Sequence, residues 1–409
     1  LELMTGRGCD PAAPSLAVIG AGIGGCALAA RVRQLGWRGP IGLWESGRGP
    51  GGRASSRRSR HDPLLRFDHG APLFSITTTT EPALLAPLLE GGWIEPWSGP
   101  LAQLDGQGQL IAGATDPLTQ GALYRGRGGM DQLCRGMLEL GGADLQLNGG
   151  CLVRHLERSA AGGWDLLDHQ QQRLGVADWL VLNGTLLAHP RCQALLGWSE
   201  PPLQPLVRQL GDGLLEQAAA AIASIECSPR CALMLLIQPP LAEAWRRLPF
   251  RLLSFDTAAQ ARWGLSRLSI QPLEDGRCVV VAHSTAEVAT LHADVIGSRS
   301  SVARLPGVTP SLQREQELIE ALSAALLAVL KPWITSPALE GAEPQLMRWG
   351  AAFPEGPGLP SRLTLCPQSR IGFCGDFISG PGFGRIEGAL RSGEGLAPRL
   401  LAAMGAAPG

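Results

Sequence analysis

Two glycine-rich turns near opposite ends of the chain have the residue types that can hold a phosphorylated ligand. The first is Gly20-Ala21-Gly22-Ile23-Gly24-Gly25. Gly20 permits a tight turn, Gly22 lets main-chain amides approach a pyrophosphate with no side chain between, and Gly25 lets a following helix lie close to a sheet. The start of that helix offers unpaired N–H groups and a partial positive charge to an anion. Glu45 follows about 20 residues later, where a carboxylate can accept from both hydroxyls of an adenosine ribose. A carboxylate at that point repels a 2′-phosphate, so FAD or NAD is expected rather than NADP.

A basic loop comes directly after Glu45 and Ser46. It contains Gly49-Pro50-Gly51-Gly52-Arg53, with Arg48, Arg57, Arg58 and Arg60 around it. Such runs are usually solvated, but this one starts beside the adenosine half of the expected ligand. A guanidinium there can neutralise a diphosphate bidentately, and Arg53 is the candidate. The second turn runs from Gly372-Phe373-Cys374-Gly375-Asp376 to Gly380-Pro381-Gly382-Phe383-Gly384-Arg385-Ile386-Glu387-Gly388-Ala389. Asp376, ending a strand, can bind ribityl hydroxyls. The helix start at Gly384–Glu387, including Ile386, can aim amides at the pyrimidine edge of a flavin.

These residues need a frame. Leu16–Gly20 reads as a buried strand, Cys26–Leu35 as a helix, and Ile41–Trp44 as a second strand ending at Glu45, the order of a right-handed crossover between parallel strands. Met130, Leu133, Met137 and Leu138 repeat at helical spacing, and Gly141-Gly142 stops that helix. Asp144–Asn148 alternates apolar and polar residues. With Cys151–Leu156, Trp164–Leu167 and Trp179–Leu182 it suggests a small sheet attached to the nucleotide domain. Ala232–Ile237, Leu268–Gln271 and Cys278–Ala282 read as strands of a second domain, Leu214–Ile225 and Leu312–Leu330 as helices, and Ile386–Met404 as the last helix. The expected fold is α/β. A discontinuous Rossmann-type FAD-binding domain takes residues 15–76, 122–190 and 365–409. An α+β substrate domain on a mixed or antiparallel sheet takes residues 77–121 and 191–364.

Composition narrows the partners. Of 409 residues, 45% are hydrophobic and 17% charged, which is too apolar for a disordered chain. No apolar run reaches the ~18 residues of a membrane span. A net charge of -1 provides no global field for nucleic acid or an anionic membrane, so neither is expected as a partner. The ten cysteines are scattered, and the closest pair, Cys227 and Cys231, has no second pair at matched spacing. No metal site is expected, and buried reduced thiols suit a cytoplasmic protein. Leu1–Ser15 lacks the apolar core of a secretory signal. There is no Gly-x-Ser-x-Gly elbow, His-Glu-x-x-His or phosphate-binding Gly-Lys-Ser/Thr, so the hard chemistry falls to a cofactor.

The order VIGAGIGG, WESGRGPGGRASSRR, FDHGAPLFS and CGDFISGPGFGRIEGALRSG resembles the renalase-like branch of the FAD-linked amine-oxidase superfamily. The middle pair points to that branch, and the outer two are shared more widely. The resemblance is strong over Leu16–Ser75 and Arg370–Ala397. It weakens at Gly129–Arg154, where a strand would set Val153 beside the adenine. It is faint elsewhere, apart from VVVAHSTAEV and MRWGAAFP. It implies non-covalent FAD at the interface of two domains. By matched motif, Gly20, Ala21, Gly22, Ile23, Gly25, Glu45, Ser46, Gly52, Arg53, Val153, Gly375, Asp376, Gly384 and Ile386 would bind it. His69, His283, Trp349 and Arg348 are the catalytic candidates, with Asp68 and Phe74 near the flavin or substrate.

The chain departs from the pattern at Pro72-Leu73, at Met347 where relatives often have histidine, and at Asn183-Gly184-Thr185. His61, His155, His169, His189 and His292 read as ordinary surface or core positions. In renalases the substrates are misreduced isomers of NAD(P)H, and oxygen takes the electrons as hydrogen peroxide. The resemblance therefore implies a small-molecule partner, for which a dihydronicotinamide dinucleotide is one candidate, with molecular oxygen as the acceptor; an amine oxidase or desaturase of the same superfamily and a flavin- or nucleotide-binding protein without turnover are the alternatives. Many amine-oxidising relatives place a lysine near the flavin. Of 35 basic residues here, only Lys331 is lysine, and it lies outside every matched motif. That argues for a substrate that surrenders hydride unaided.

Overall fold

The structure is a computed structural model that describes residues 10, 13–112, 116–298, 309–334, 339 and 341–405. Most of Leu1–Ser15 and the end of the last expected segment lie outside the described residues.

The strand Leu16–Ile19, the helix Ile23–Gln34 and the strand Ile41–Glu45 form the expected crossover. Leu16–Ile19 pairs in parallel with Ile41–Glu45 on one side and with Trp179–Asn183 on the other. Gln146–Gly149 extends the sheet beyond Ile41–Glu45, and Ile371–Cys374 extends it beyond Trp179–Asn183, both in parallel. Leu365–Cys366 closes this six-stranded sheet with an antiparallel pairing.

One grouping from the sequence is corrected here. Gln146–Gly149 and Trp179–Asn183 are strands of the main parallel sheet, not of a small attached one. The small sheet consists of His155–Arg158, Trp164–Leu167 and Arg173–Ala177. The run Trp179-Leu180-Val181-Leu182 is buried throughout, the pattern of a central strand covered on both faces.

Both faces of the parallel sheet are indeed covered. On one side Ala27, Leu28 and Val32 of the first helix pack with Leu390, Leu396, Ala397 and Leu400 of the last helix, Ile386–Ala403. These helices approach so closely that a Cβ on Gly393 would lie 2.3 Å from the Gly24 carbonyl oxygen. On the other side Leu180 and Leu182 pack with Leu206, Leu215 and Ile222.

The second sheet is seven-stranded. Its order is Glu343–Glu355, Glu226–Ile237, Cys278–Ser284, Leu265–Pro272, Leu252–Phe255, Leu101–Leu104 and Leu110–Ala112. All its pairings are antiparallel except that of Leu252–Phe255 with Leu101–Leu104. The helix Leu312–Leu330 contributes Leu318, Leu322 and Leu326 to the core beneath it. The excursion over residues 77–121 divides between the two sheets. Leu84, Leu85, Leu88 and Ile94 join the core of the parallel sheet, while Leu101–Leu104 joins the second sheet. No helix among the described residues is long and apolar enough to cross a membrane.

Candidate functional site

The first glycine turn leaves its strand at Gly20, whose φ of +99° is left-handed backbone that favours glycine. The helix that follows starts at Ile23 with no side-chain cap and no acid in its first turn, so its amides are left for an incoming anion. A Cβ on Gly25 would lie 2.5 Å from the Gly20 carbonyl oxygen and 3.0 Å from Val18, which holds the helix against turn and strand. At the other end of the chain, the helix starting at Ile386 also has no side-chain hydrogen bond at its cap.

Asn183 joins the two turns. Its Nδ2 donates to the Gly20 carbonyl at 3.0 Å, and its Oδ1 accepts from Cys374 Sγ at 3.8 Å. A Cβ on Gly22 or Gly24 would lie within 3 Å of this side chain, at 2.9 and 2.8 Å. The sequence marked Asn183 only as a departure from a family turn. An asparagine followed by Gly184 at a strand end, where φ reaches +129°, was the available signal.

Both helix starts border one cavity of about 1180 Å³, above the ~300–1,000 Å³ usual for a single small ligand. Gly20, Gly22, Ile23, Glu45, Gly52, Arg53, Gly375, Asp376, Gly384 and Ile386 line it, as do His283, Arg348 and Trp349. Ala21, Gly25, Ser46, Val153 and His69 do not. Ala21 donates its N–H to Glu45 Oε2 at 2.9 Å. Ser46 Oγ lies 3.4 Å from Glu45 Oε1, and Val153 is buried in the core. Glu45 Oε1 also accepts from the Gly47 N–H at 2.6 Å. A carboxylate has about four lone pairs, so Glu45, which lines the cavity, can accept a further hydrogen bond.

Arg53 and Asp376 hold each other bidentately at 2.7 Å, and Arg53 Nη1 also donates to the Ala352 carbonyl at 2.7 Å. Of the other arginines in the basic loop, Arg57 donates to Gln345 Oε1 at 3.1 Å. Arg58 shares Asp131 with Arg66 and Arg135. Glu387, fully buried, is turned from the cavity towards Thr77 and Thr78, whose hydroxyls donate to it at 2.7 and 2.8 Å.

The histidines stand at the sheet end. His283 Nε2 lies 3.1 Å from the His69 carbonyl oxygen. That oxygen only accepts, so Nε2 carries the proton and Nδ1 keeps its lone pair. Burial, with Arg267 and Arg230 nearby, lowers the His283 pKa to about 4. Burial, with Arg57 and His283, lowers that of His69 to about 3. Both rings are neutral at neutral pH. The His69 ring packs against Trp349 with centres 5.4 Å apart and planes tilted by 34°, and His69 Nδ1 and Trp349 Nε1 are buried without protein partners. Strand alternation sends Arg348 to the face opposite Trp349, where its Nε reaches the Ala289 carbonyl at 3.4 Å. Asp68 holds Ser56 and the Met130 N–H, and burial raises its pKa to about 6.

The sequence did not single out Arg191, Arg230, Arg267 or Asp116, which also line the cavity. No cluster of potential metal ligands occurs among the described residues.

Four features of this geometry fit a dinucleotide: two helix starts without side-chain caps, a turn whose close approaches exclude side chains, a carboxylate at the end of the strand Ile41–Glu45, and the orphaned Trp349 Nε1 at the cavity wall.

Residues 18–86 match the NAD(P)-binding Rossmann-like domain family. No curated protein is a sequence match. Solved structures share the fold along almost the whole chain. Cyclohexylamine oxidase from Brevibacterium oxydans IH-35A is 14% identical, with a TM-score of 0.62, covering 96% of this chain and 100% of its own. A protein of Exiguobacterium sp. 255-15 assigned as a protoporphyrinogen oxidase is 12% identical, with a TM-score of 0.60, covering 96% and 99%. A triple mutant of putrescine oxidase with redesigned cofactor binding is 15% identical, with a TM-score of 0.57, covering 95% and 99%.

Proposed function

We propose that the chain is a FAD-dependent oxidoreductase, renalase-like in oxidising a small hydride donor such as an isomeric dihydronicotinamide dinucleotide. One observation carries the reading: two uncapped helix starts from opposite ends of the chain meet at a single cavity, joined by Asn183. Non-covalent FAD, when bound, would supply a two-electron acceptor for hydride, and oxygen with one further proton would carry the electrons away as hydrogen peroxide.

The residues of the chain bind and orient. The helix starting at Ile23 takes the diphosphate, and Glu45 takes the adenosine ribose. Asp376, held by Arg53, keeps lone pairs for a ribityl hydroxyl. The helix starting at Ile386 faces the pyrimidine edge of the flavin. Trp349 and the neutral His283 form the wall against which the donor stacks. A dihydropyridine becomes aromatic as hydride leaves, so it needs little acid–base help, in keeping with two neutral histidines.

An amine oxidase is the second reading, favoured by the fold shared with cyclohexylamine and putrescine oxidases. Lys331 weighs against it, since it is exposed at the end of the helix Leu312–Leu330 and does not line the cavity.

Anaerobic mixing with isomeric dihydronicotinamide dinucleotides, cyclohexylamine and putrescine decides between them. Rapid bleaching of the flavin absorbance by a dihydronicotinamide isomer, and not by the amines, is the expected result. Bleaching by an amine alone would transfer the assignment to the second reading. A protein that purifies without flavin would overturn both.

A further inference from the structure

The cavity wall opposite the glycine turns is a patch of the seven-stranded sheet. Residues in register across a sheet share a face, as do residues two apart along a strand. Arg230 stands opposite Trp349, Ala232 opposite both Met347 and His283, and His283 opposite Arg267. One face therefore collects Met347, Trp349, Arg230, His283 and Arg267, and all five border the cavity.

Two of these five residues are arginines. Arg267 donates to Asp116 Oδ2 at 3.1 Å. Arg230 donates to Ser228 Oγ at 2.7 Å and to the Pro229 carbonyl at 2.6 Å, and it lies 5.2 Å from the Phe353 ring centre. It has no ion pair among the described residues. The Nε of each arginine is buried without a partner. Glu287 and Glu355 lie near enough to act on the Arg230 charge without an ion-pair contact, and the other acids on this side are engaged. Asp256 caps the helix Thr257–Trp263 through the Ala259 N–H at 2.7 Å, and Asp294 pairs with Arg314 at 3.3 Å. A half-buried cation without a contacting carboxylate keeps donors free, and the guanidinium fork matches a carboxylate or phosphate. A donor that loses hydride also gains positive charge. An anionic group on it would offset that gain, whereas an ammonium group would be repelled by both arginines.

We propose that Arg230 and Arg267 form an oxyanion subsite, which holds a carboxylate or phosphate of the substrate beside His283 and Trp349. The proposal rests on the reading of the cavity as a FAD-dependent site, because it places the anion on that site's substrate.

Calorimetric titration of the purified flavoprotein tests it without turnover. Nicotinate and nicotinamide present the same neutral pyridine with a carboxylate and with no anion, and nicotinamide mononucleotide presents a phosphate on an N-ribosylated, cationic ring. One of the two anionic probes should bind about tenfold or more tighter than nicotinamide, and which one does so identifies the oxyanion. The advantage should shrink in Arg230→Gln and Arg267→Gln, recover in part in Arg267→Lys, and persist in the remote Arg362→Gln. Flavin content and melting temperature, measured alongside, separate lost recognition from lost folding. Equal binding of all three probes, or an advantage that survives both glutamine variants, overturns the subsite and leaves the flavoenzyme reading standing. A protein without flavin overturns that reading instead, and the same titration still reads the anion preference.

Discussion

Arg53 and Asp376, 323 residues apart in sequence, face each other as a bidentate ion pair with both N–O distances at 2.7 Å. The pair ties the loop after Glu45 to the strand end that opens the second glycine turn, so each end of the chain orients the other at the cavity wall. Asp376→Asn removes the charge and leaves Arg53 facing an amide. Removing one partner of a buried pair costs about 3–5 kcal/mol, but the Arg53 side chain is 41% exposed. The expected loss is therefore about 1–3 kcal/mol in denaturant unfolding, together with lower flavin content on purification.

Gly393 sits where the first and last helices touch. The Cβ of Gly393→Ala would lie 2.3 Å from the Gly24 carbonyl oxygen and 2.8 Å from the Leu28 nitrogen, so the helices must separate. Overpacking of this kind costs about 1–3 kcal/mol. Gly395→Ala, two residues on with nothing within 4 Å of the new Cβ, should be neutral or stabilising by about 0.5–1 kcal/mol. Thermal unfolding of the two variants should move in opposite directions, and a matched loss in both would show that the helix contact is not the cause.

His283 predicts a pH dependence of stability. Burial, with Arg267 and Arg230, lowers its folded pKa to about 4, against 6.5 in its ordinary state. Between those values the unfolded chain binds the extra proton, so this contribution to stability rises with pH across the window and is complete above it. The full contribution is on the order of 3 kcal/mol. His283→Gln should flatten the rise between about pH 4 and 6.5 in urea unfolding, and an unchanged slope would mean that folding does not lower the pKa of this ring.

Lys331→Ala should leave the rate of anaerobic flavin reduction unchanged within about twofold, since the lysine is exposed and remote from the cavity. A large loss in stopped-flow reduction would place a lysine-held water in the chemistry and favour amine oxidation.

The first crossover was legible because three local signals agree over Leu16–Glu45: an apolar run, close-approach glycines, and an acid at a strand end. The strand Trp179–Asn183 was recognisable, but its sheet was not. A continuous apolar run states only that both faces are covered, not which strands lie beside it. The strand Glu343–Glu355 was harder to see. It lies at the sheet edge, is mostly half-buried, and contains Pro344, Gly350 and Pro354, so neither alternation nor continuous apolarity marks it. Arg230 and Arg267 escaped notice for a related reason. Their shared face follows from cross-strand register through His283, a relation between distant segments that spacing along one segment does not encode. Asn183 was visible as an oddity in a turn, but its contact with Gly20 depends on the two strands being neighbours.

The pairing of Ile371–Cys374 with Trp179–Asn183 also sets a timetable for synthesis. While the ribosome is still making the second sheet, the strand Trp179–Asn183 has a partner on one side only, and its other edge can capture a strand from another chain. The binding cavity is complete only once the helix Ile386–Ala403 has emerged and docked on the first helix. Loading of the proposed cofactor is therefore a late event, and slow translation of the intervening segment would prolong the period in which the nascent chain is prone to aggregate.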